Sequence, residues 1–284
     1  MDKFEITSDS LQNPLLAELL HKLADSFGRV GTEFYVIGAT ARDIILRQLA
    51  GTTSGRKTRD LDIAIAIPRW EVFGEIQKQL VADGFEKSRD MYQRFYYKDY
   101  ELDVVPYGVI AKEDDYIYWP PEEEIAMSVK GFDEVLSEAI TVSIDGAYDI
   151  KIASLPGLFV LKFNAWVDRG VKTEKDATDM SFIVANYFFA NVDRGVHPEV
   201  FDWDDFDEYV TGAYWLAWDI AGLLKKPQLQ YYRDLIGAEL EKAEQSRLLN
   251  QILEHDGGLT FEQVVAAWTK IAEVFQKVVE DEDK

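Results

Sequence analysis

The chain predicts an α/β domain built on a mixed sheet, followed by an all-helical C-terminal domain. Two observations carry this expectation. Between residues 33 and 153, short apolar runs with strand spacing alternate with helical stretches and are punctuated by glycine turns. Beyond Pro156 the strand and glycine patterns fade and helical periodicity dominates. The boundary is expected near residue 153, giving domains 1–153 and 154–284. A chain of 284 residues, 47% of them hydrophobic, is long enough to bury a core in each.

The elements follow in order. Residues 9–28 read as an amphipathic helix, with Leu16, Leu19, Leu20 and Leu23 on its buried stripe. Phe34 to Ile37 is a short strand, Gly38-Ala39-Thr40 a turn, and Ala41 to Leu49 a helix, with Thr40 placed to cap it. The run TRDLDIAIAI is a strand that ends at Pro68. A helix near 70–82 leads into a hairpin-like pair, Phe85–Ser88 and Tyr92–Tyr97, and then a strand around Leu102-Asp103-Val104. The acidic, proline-containing stretch 109–135 reads as an irregular loop with one short strand. Strands at 139–145 and 145–153 close the first domain. Helices fill the second, broken at Pro227 and at Asp256-Gly257-Gly258. This second domain is expected to close over a cleft in the first.

Asp60 and Asp62 stand one residue apart at the head of an apolar strand. Side chains alternate along a strand, so both acids share one face, which Ala64 and Ala66 continue. Leu61, Ile63, Ile65 and Ile67 take the other face. Two acids at the mouth of a covered strand are costly to desolvate without positive charge between them. A pair of Mg²⁺ ions would supply it, with Mn²⁺ an alternative. The competing reading is an edge-strand acid pair that discourages aggregation. Asp103 completes a triad with Asp60 and Asp62 if its strand is a neighbour, and Glu101, on the same face, is the fallback. Upstream, Gly38 permits a tight turn, and the free N–H groups at the start of the helix form a phosphate site or merely cap a turn.

Strand, glycine turn, helix and D-x-D strand, with a later acid, resemble the polymerase-β-type nucleotidyltransferases. GATARDIIL followed by TRDLDIAIAI is similar to the corresponding run in tRNA CCA-adding enzymes, with Ala39 where that family has Gly or Ser. A second block, Lys162, Ala165, Arg169, Lys175-Asp176 and Asp179, resembles the AbiEii/AbiGii-type nucleotidyltransferases, many of them toxins of type IV toxin–antitoxin systems. Together the two blocks cover roughly residues 33 to 184. The alternative for the second block is an ordinary Lys and Arg on a solvated helix face, with acids favoured at a helix start.

The resemblance implies transfer of a nucleoside monophosphate from a nucleoside triphosphate to an acceptor hydroxyl, with pyrophosphate leaving. Asp60, Asp62 and Asp103 would hold two Mg²⁺ ions, and Asp103 would help deprotonate the acceptor. Gly38, Ala39 and Thr40 would cradle the phosphates, with Arg42, Thr58 and Arg169 completing the nucleotide site. Lys162, seven residues from Arg169 on the same helix face, would neutralise the triphosphate as a point charge. Asp176 is an active-site acid in the family pattern. Lys162 and Asp176 would be the second domain's contribution to the cleft.

Composition narrows the partners. With no cysteine there is no disulfide, thiol nucleophile or cysteine zinc site. His21, His197 and His255 lack ligand spacing. No signal peptide or membrane-length apolar run is read, so a soluble cytoplasmic protein with no membrane partner is expected. Net charge is −22, which opposes nucleic acid on average, while Arg42, Arg47, Arg56, Lys57 and Arg59 form either a local positive rim or a solvated loop. The toxin resemblance favours tRNA as acceptor and an antitoxin as partner; a protein hydroxyl, a small molecule and a silent nucleotide-binding module stay open. The acidic run 202–209 is either solvated surface or a dock for a basic partner.

Overall fold

The computed structural model describes residues 3–52, 59–113, 115–121, 123–255 and 258–281. Contacts divide the chain into two compact units, Met1–Ile45 with Gly55–Ser154, and Leu46–Ser54 with Leu155–Lys284.

In the first unit, β1 (Lys3–Ile6) and a 3₁₀ turn (Ser8–Leu11) precede α1 (Pro14–Val30). Then come β2 (Tyr35–Ile37), α2 (Gly38–Ala50), whose last residues count with the second unit, β3 (Asp60–Ala66) and α3 (Trp70–Ala82). The hairpin β4 (Glu86–Lys87) and β5 (Arg94–Tyr97) leads to β6 (Tyr100–Tyr107). Next are β7 (Tyr116–Tyr118), β8 (Ala126–Ser128), α4 (Phe132–Ser137), β9 (Ile140–Ile144) and β10 (Tyr148–Ile152). Among the described residues, eight strands form one mixed sheet in the order β1-β9-β10-β2-β3-β6-β5-β4. The pairs β1–β9, β10–β2 and β3–β6 are parallel, and the others antiparallel.

Val36, Leu61, Ile63, Ile65, Leu102 and Val104 are fully buried, so the centre of the sheet is the core of this unit. On one flank α1 brings Leu19, Leu20 and Leu23 into it. That helix starts at Pro14 rather than near residue 9. Asn13 caps it by accepting from the N–H groups of Leu15 and Leu16, and the preceding residues wind into the 3₁₀ turn instead.

Two further expectations change. Thr40 is not the cap of α2, because the helix starts two residues earlier. At φ +71°, Gly38 turns the chain from strand into helix at once, which leaves Thr40 buried in the first turn. Residues 109–135 are also more ordered than an irregular loop with one strand. They hold two paired strands, β7 and β8, and α4, organised around buried Trp119, which packs on Trp70, Phe73 and Tyr92.

In the second unit the elements from residue 155 onward are helical: α5 (Leu155–Arg169), α6 (Lys175–Ala190), a 3₁₀ turn (Pro198–Asp202), α7 (Glu208–Leu223), α8 (Lys226–Glu241), a further 3₁₀ turn (Ala243–Gln245), α9 (Arg247–His255) and α10 (Phe261–Glu280). As expected, the helical run is interrupted near Pro227, between α7 and α8; the proline sits in the first turn of α8, where its missing N–H costs nothing. Asp207 caps α7, and Thr260 with Gln263 forms a capping box on α10. Trp215, Trp268, Phe159, Phe163 and Phe275 fill the core. No helix among the described residues is long and apolar enough to cross a membrane.

Candidate active site

The register of three strands assembles the site in the first unit. β3 runs parallel to β6 with Asp60 opposite Glu101 and Asp62 opposite Asp103. Opposed residues on neighbouring strands share a face, so the four carboxylates stand together on one side of the sheet. Asp60 is exposed and Asp62 half-buried, and the acid face then continues through small residues, Ala64 and Ala66. On the other flank of β3, Ile37 opposes Asp62 and leads directly into Gly38. A Cβ on Gly38 would come within 2.5 Å of Asp62 Oδ2. Gly38 therefore serves twice: it takes the left-handed turn, and it leaves room for the carboxylate against the start of α2.

A residue not anticipated as part of the site completes the row. Arg94 on β5 pairs with Asp103 across the antiparallel ladder, so its side chain lies on the acid face. Its Nε and Nη2 each donate to one oxygen of Asp103 at 2.8 Å, and Nη1 lies 2.6 Å from Glu101 Oε2. These bonds to Asp103, and the charge of Asp103 and Glu101, outweigh burial and hold the guanidinium firmly protonated. The signal was present in the alternation of the hairpin strand Tyr92–Tyr97, but it has meaning only once β5 is known to pair with β6 in this register.

The set Asp60, Asp62 and Asp103 can be tested against a cation on this geometry. Asp60 and Asp62 offer hard oxygen donors on one face, with the Gly38 cradle beside them, and fit a Mg²⁺-type ion. Asp103 has both oxygens engaged by Arg94 and does not fit as it stands. Among the described residues no three acidic or histidine side chains are gathered to hold one ion.

The remaining expected residues fall into three groups. In the second unit, Lys162, Arg169 and Asp176 come together with Asp179 where α5 meets α6. Arg169 donates to both oxygens of Asp176 at 2.7 and 2.9 Å. Lys162 Nζ lies 2.6 Å from Asp179 Oδ2 and 3.5 Å from Asp176 Oδ1. Asp176 is completely buried, so it anchors cations and does not face solvent. Arg42 is 4% exposed and bonds Asp43 through Nε at 2.9 Å, which takes it off the expected positive rim. Arg59 is exposed and faces Asp99 at 3.8 Å. Thr58, Arg56 and Lys57 lie outside the described residues, as do Asp256 and Gly257. His21 stacks on Tyr148 and His197 on Trp218.

No family model matches the chain, and no curated protein matches it in sequence. Among solved structures it is similar to the antibiotic-resistance factor ANT(2″)-Ia in solution, at 16% identity and a TM-score of 0.37, over 63% of this chain and 83% of that one. The crystal structure of ANT(2″)-Ia with adenylyl-2″-tobramycin gives 15% identity and a TM-score of 0.37, over 63% and 88%. An antigenic nucleotidyltransferase-like protein from Paracoccidioides brasiliensis gives 19% identity and a TM-score of 0.42, over 75% and 90%. Likenesses this distant decide neither fold family nor chemistry, which rest on the residues themselves.

Proposed function

We propose that the chain is a nucleotidyltransferase of the polymerase-β type, moving a nucleoside monophosphate from a nucleoside triphosphate to an acceptor hydroxyl. The observation that carries this reading is the acid row: Asp62 beside Asp103 on parallel strands, next to a glycine turn that opens a helix. Neighbouring carboxylates repel one another unless cationic charge is supplied, which Arg94 does for Asp103 and Glu101, and a helix start offers N–H groups to phosphate oxygens. A Mg²⁺ ion held by Asp60 and Asp62 would supply Lewis-acid polarisation of the phosphate.

The chain's own residues account for the rest. The turn from Gly38 to Thr40 binds phosphate oxygens and orients the α-phosphorus for in-line attack. The acceptor hydroxyl gives up its proton to Asp103 as the new P–O bond forms and pyrophosphate departs. In the helical unit, Lys162 would act as a point charge on the triphosphate, and Asp176 and Asp179 hold its ammonium in one place. Arg169 balances the charge of Asp176, so the acid acts as a positioning residue for Lys162.

The finer reading, from the AbiEii-type resemblance, is a cytoplasmic toxin with tRNA as acceptor and an antitoxin as partner. A protein or small-molecule acceptor is the second reading, favoured by the burial of Arg42, which removes one guanidinium from any phosphate-tracking rim. The deciding experiment incubates the protein with each α-labelled triphosphate, Mg²⁺ and either bulk tRNA or total cell extract. Label in tRNA supports the first reading and label in protein or small molecules the second. Triphosphate binding with no transfer to anything would replace both with a silent binding module.

A further inference from the structure

We propose that Arg94 masks Asp103, and that Asp103 joins the cation site only when an anionic group of the substrate draws the guanidinium away. This rests on the nucleotidyltransferase reading above and adds an order of events to it.

The argument begins with the register. Asp62, Asp103 and Arg94 occupy one row across β3, β6 and β5 with Asp103 in the middle, so Arg94 grips Asp103 from the flank away from Asp62. It leaves neither acceptor free of competition. Two of its nitrogens bind the two oxygens of Asp103, and the third binds Glu101, the other acid able to replace it. A positive charge at this spot repels a divalent ion as well as occupying its ligands.

Depth separates this pair from ordinary surface pairs. The Arg94 side chain is 22% exposed and Asp103 18%, whereas both partners of Arg59–Asp99 are more than two-thirds exposed and sit 3.8 Å apart. An exposed pair exchanges with solvent and restricts little. The Arg94 clamp is shielded enough to persist, yet open enough for an anion to reach. Planar guanidinium binds phosphate in the same two-pronged way as carboxylate, so a substrate phosphate can replace Asp103 as its partner without leaving a charge stranded. Asp103 is then released toward Asp62 at the moment a phosphate has arrived. The simpler alternative is a permanent cross-strand staple that does nothing beyond holding β5 to β6.

Mn²⁺ binding to the full chain, followed by electron paramagnetic resonance without nucleotide, separates the two. Arg94→Gln is expected to raise Mn²⁺ affinity by at least about tenfold, because a charge-assisted clamp has been removed from a ligand. Adding Asp103→Asn to that variant should abolish the gain. A second measurement needs no variant: in wild type, sulfate in place of chloride at equal ionic strength should tighten Mn²⁺ binding, since sulfate mimics the phosphate that draws Arg94 away. A folded Arg94→Gln protein with wild-type Mn²⁺ affinity, or no sulfate effect on wild type, overturns the mask. If Asp62→Asn abolishes Mn²⁺ binding in either case, the underlying reading stands and only the mask is lost. If Asp62→Asn leaves Mn²⁺ binding unchanged, the nucleotidyltransferase site itself is wrong.

Discussion

Asp176 and Asp103 are each gripped by an arginine through two hydrogen bonds, as Asp219 is by Arg194, and the first two grips differ in depth. Asp176 on α6 is completely buried beneath Arg169, whose own side chain is 54% exposed, and Lys162 approaches from the side. Asp103 on β6 is 18% exposed, and its partner Arg94 also reaches Glu101. A fully buried carboxylate cannot lose its cation without being left charged in a poor solvent, so the Arg169 grip is fixed. A partly exposed carboxylate such as Asp103 can hand its partner to a competing anion and take up another cation. The same chemical pair is thus scaffold in one unit and exchangeable in the other, and burial makes the difference.

The largest expected effect lies beside the exchangeable pair. Asp62→Asn should lower nucleotidyl transfer by more than about 100-fold, since even the outer partners of metal ligands are worth 10–100-fold. It should leave the melting temperature unchanged or raised, because one of two neighbouring like charges is removed. Near-normal transfer by this variant would remove the acid row from the chemistry.

Truncating each arginine tests the comparison itself. Arg169→Ala should cost about 3 kcal/mol in urea unfolding, as it strands a buried carboxylate. Arg94→Ala should cost about 1 kcal/mol or less, because Asp103 and Glu101 can rehydrate. Equal losses would show that depth does not distinguish the two grips. Gly38→Ala should fall between them, at roughly 2 kcal/mol from the left-handed backbone alone. It should also weaken triphosphate binding, since the new Cβ presses on Asp62; unchanged binding would separate the turn from the site.

The smallest effect concerns a third buried acid, held by a different donor set. Burial opposes the charge of Glu239, but hydrogen bonds from Lys242, Ser246 and the Leu248 N–H outweigh it and hold the carboxyl below its ordinary 4.5. A depressed folded value stabilises the protein above the ordinary value, and that contribution disappears as pH falls through the lower one. Urea midpoints between about pH 6 and pH 3 should therefore fall more steeply in wild type than in Glu239→Gln. Parallel slopes would mean that Glu239 keeps the same affinity for protons in both states.

The sequence reveals features set by neighbours in the chain and hides those set by pairing. The alternation in DLDIAIA puts Asp60 and Asp62 on one face whatever else the chain does, and the strand pattern around Asp103 is equally local. Arg94 is invisible at that level, since its role depends on β5 lying antiparallel to β6 with Arg94 opposite Asp103. Arg42 misleads for a related reason: a helix arginine reads as solvated until the packing buries it. The strands β7 and β8 are three residues each and gain order from Trp119 and its aromatic neighbours, which no local pattern encodes. Asp176 had a motif position but no physical role until Arg169 and Lys162 were found around it.

The sheet's edge has a consequence for how the chain is made. β1 pairs with a strand 138 positions further along the chain, β9, with Phe4 opposite Val142 and Ile6 opposite Ile144, and the Ser8 N–H bonds Asp145. At about 5–20 residues per second the partner leaves the ribosome roughly 7 to 28 seconds after β1 does. During that interval Phe4 and Ile6, both buried in the finished sheet, have no ladder to join and are available to other chains. β2 waits in the same way for β10, which supplies one of its two flanks only at residues 151 and 152. A ribosome stalled before residue 140 would therefore display an unfinished sheet with an apolar strand at each open position, a substrate for chaperones.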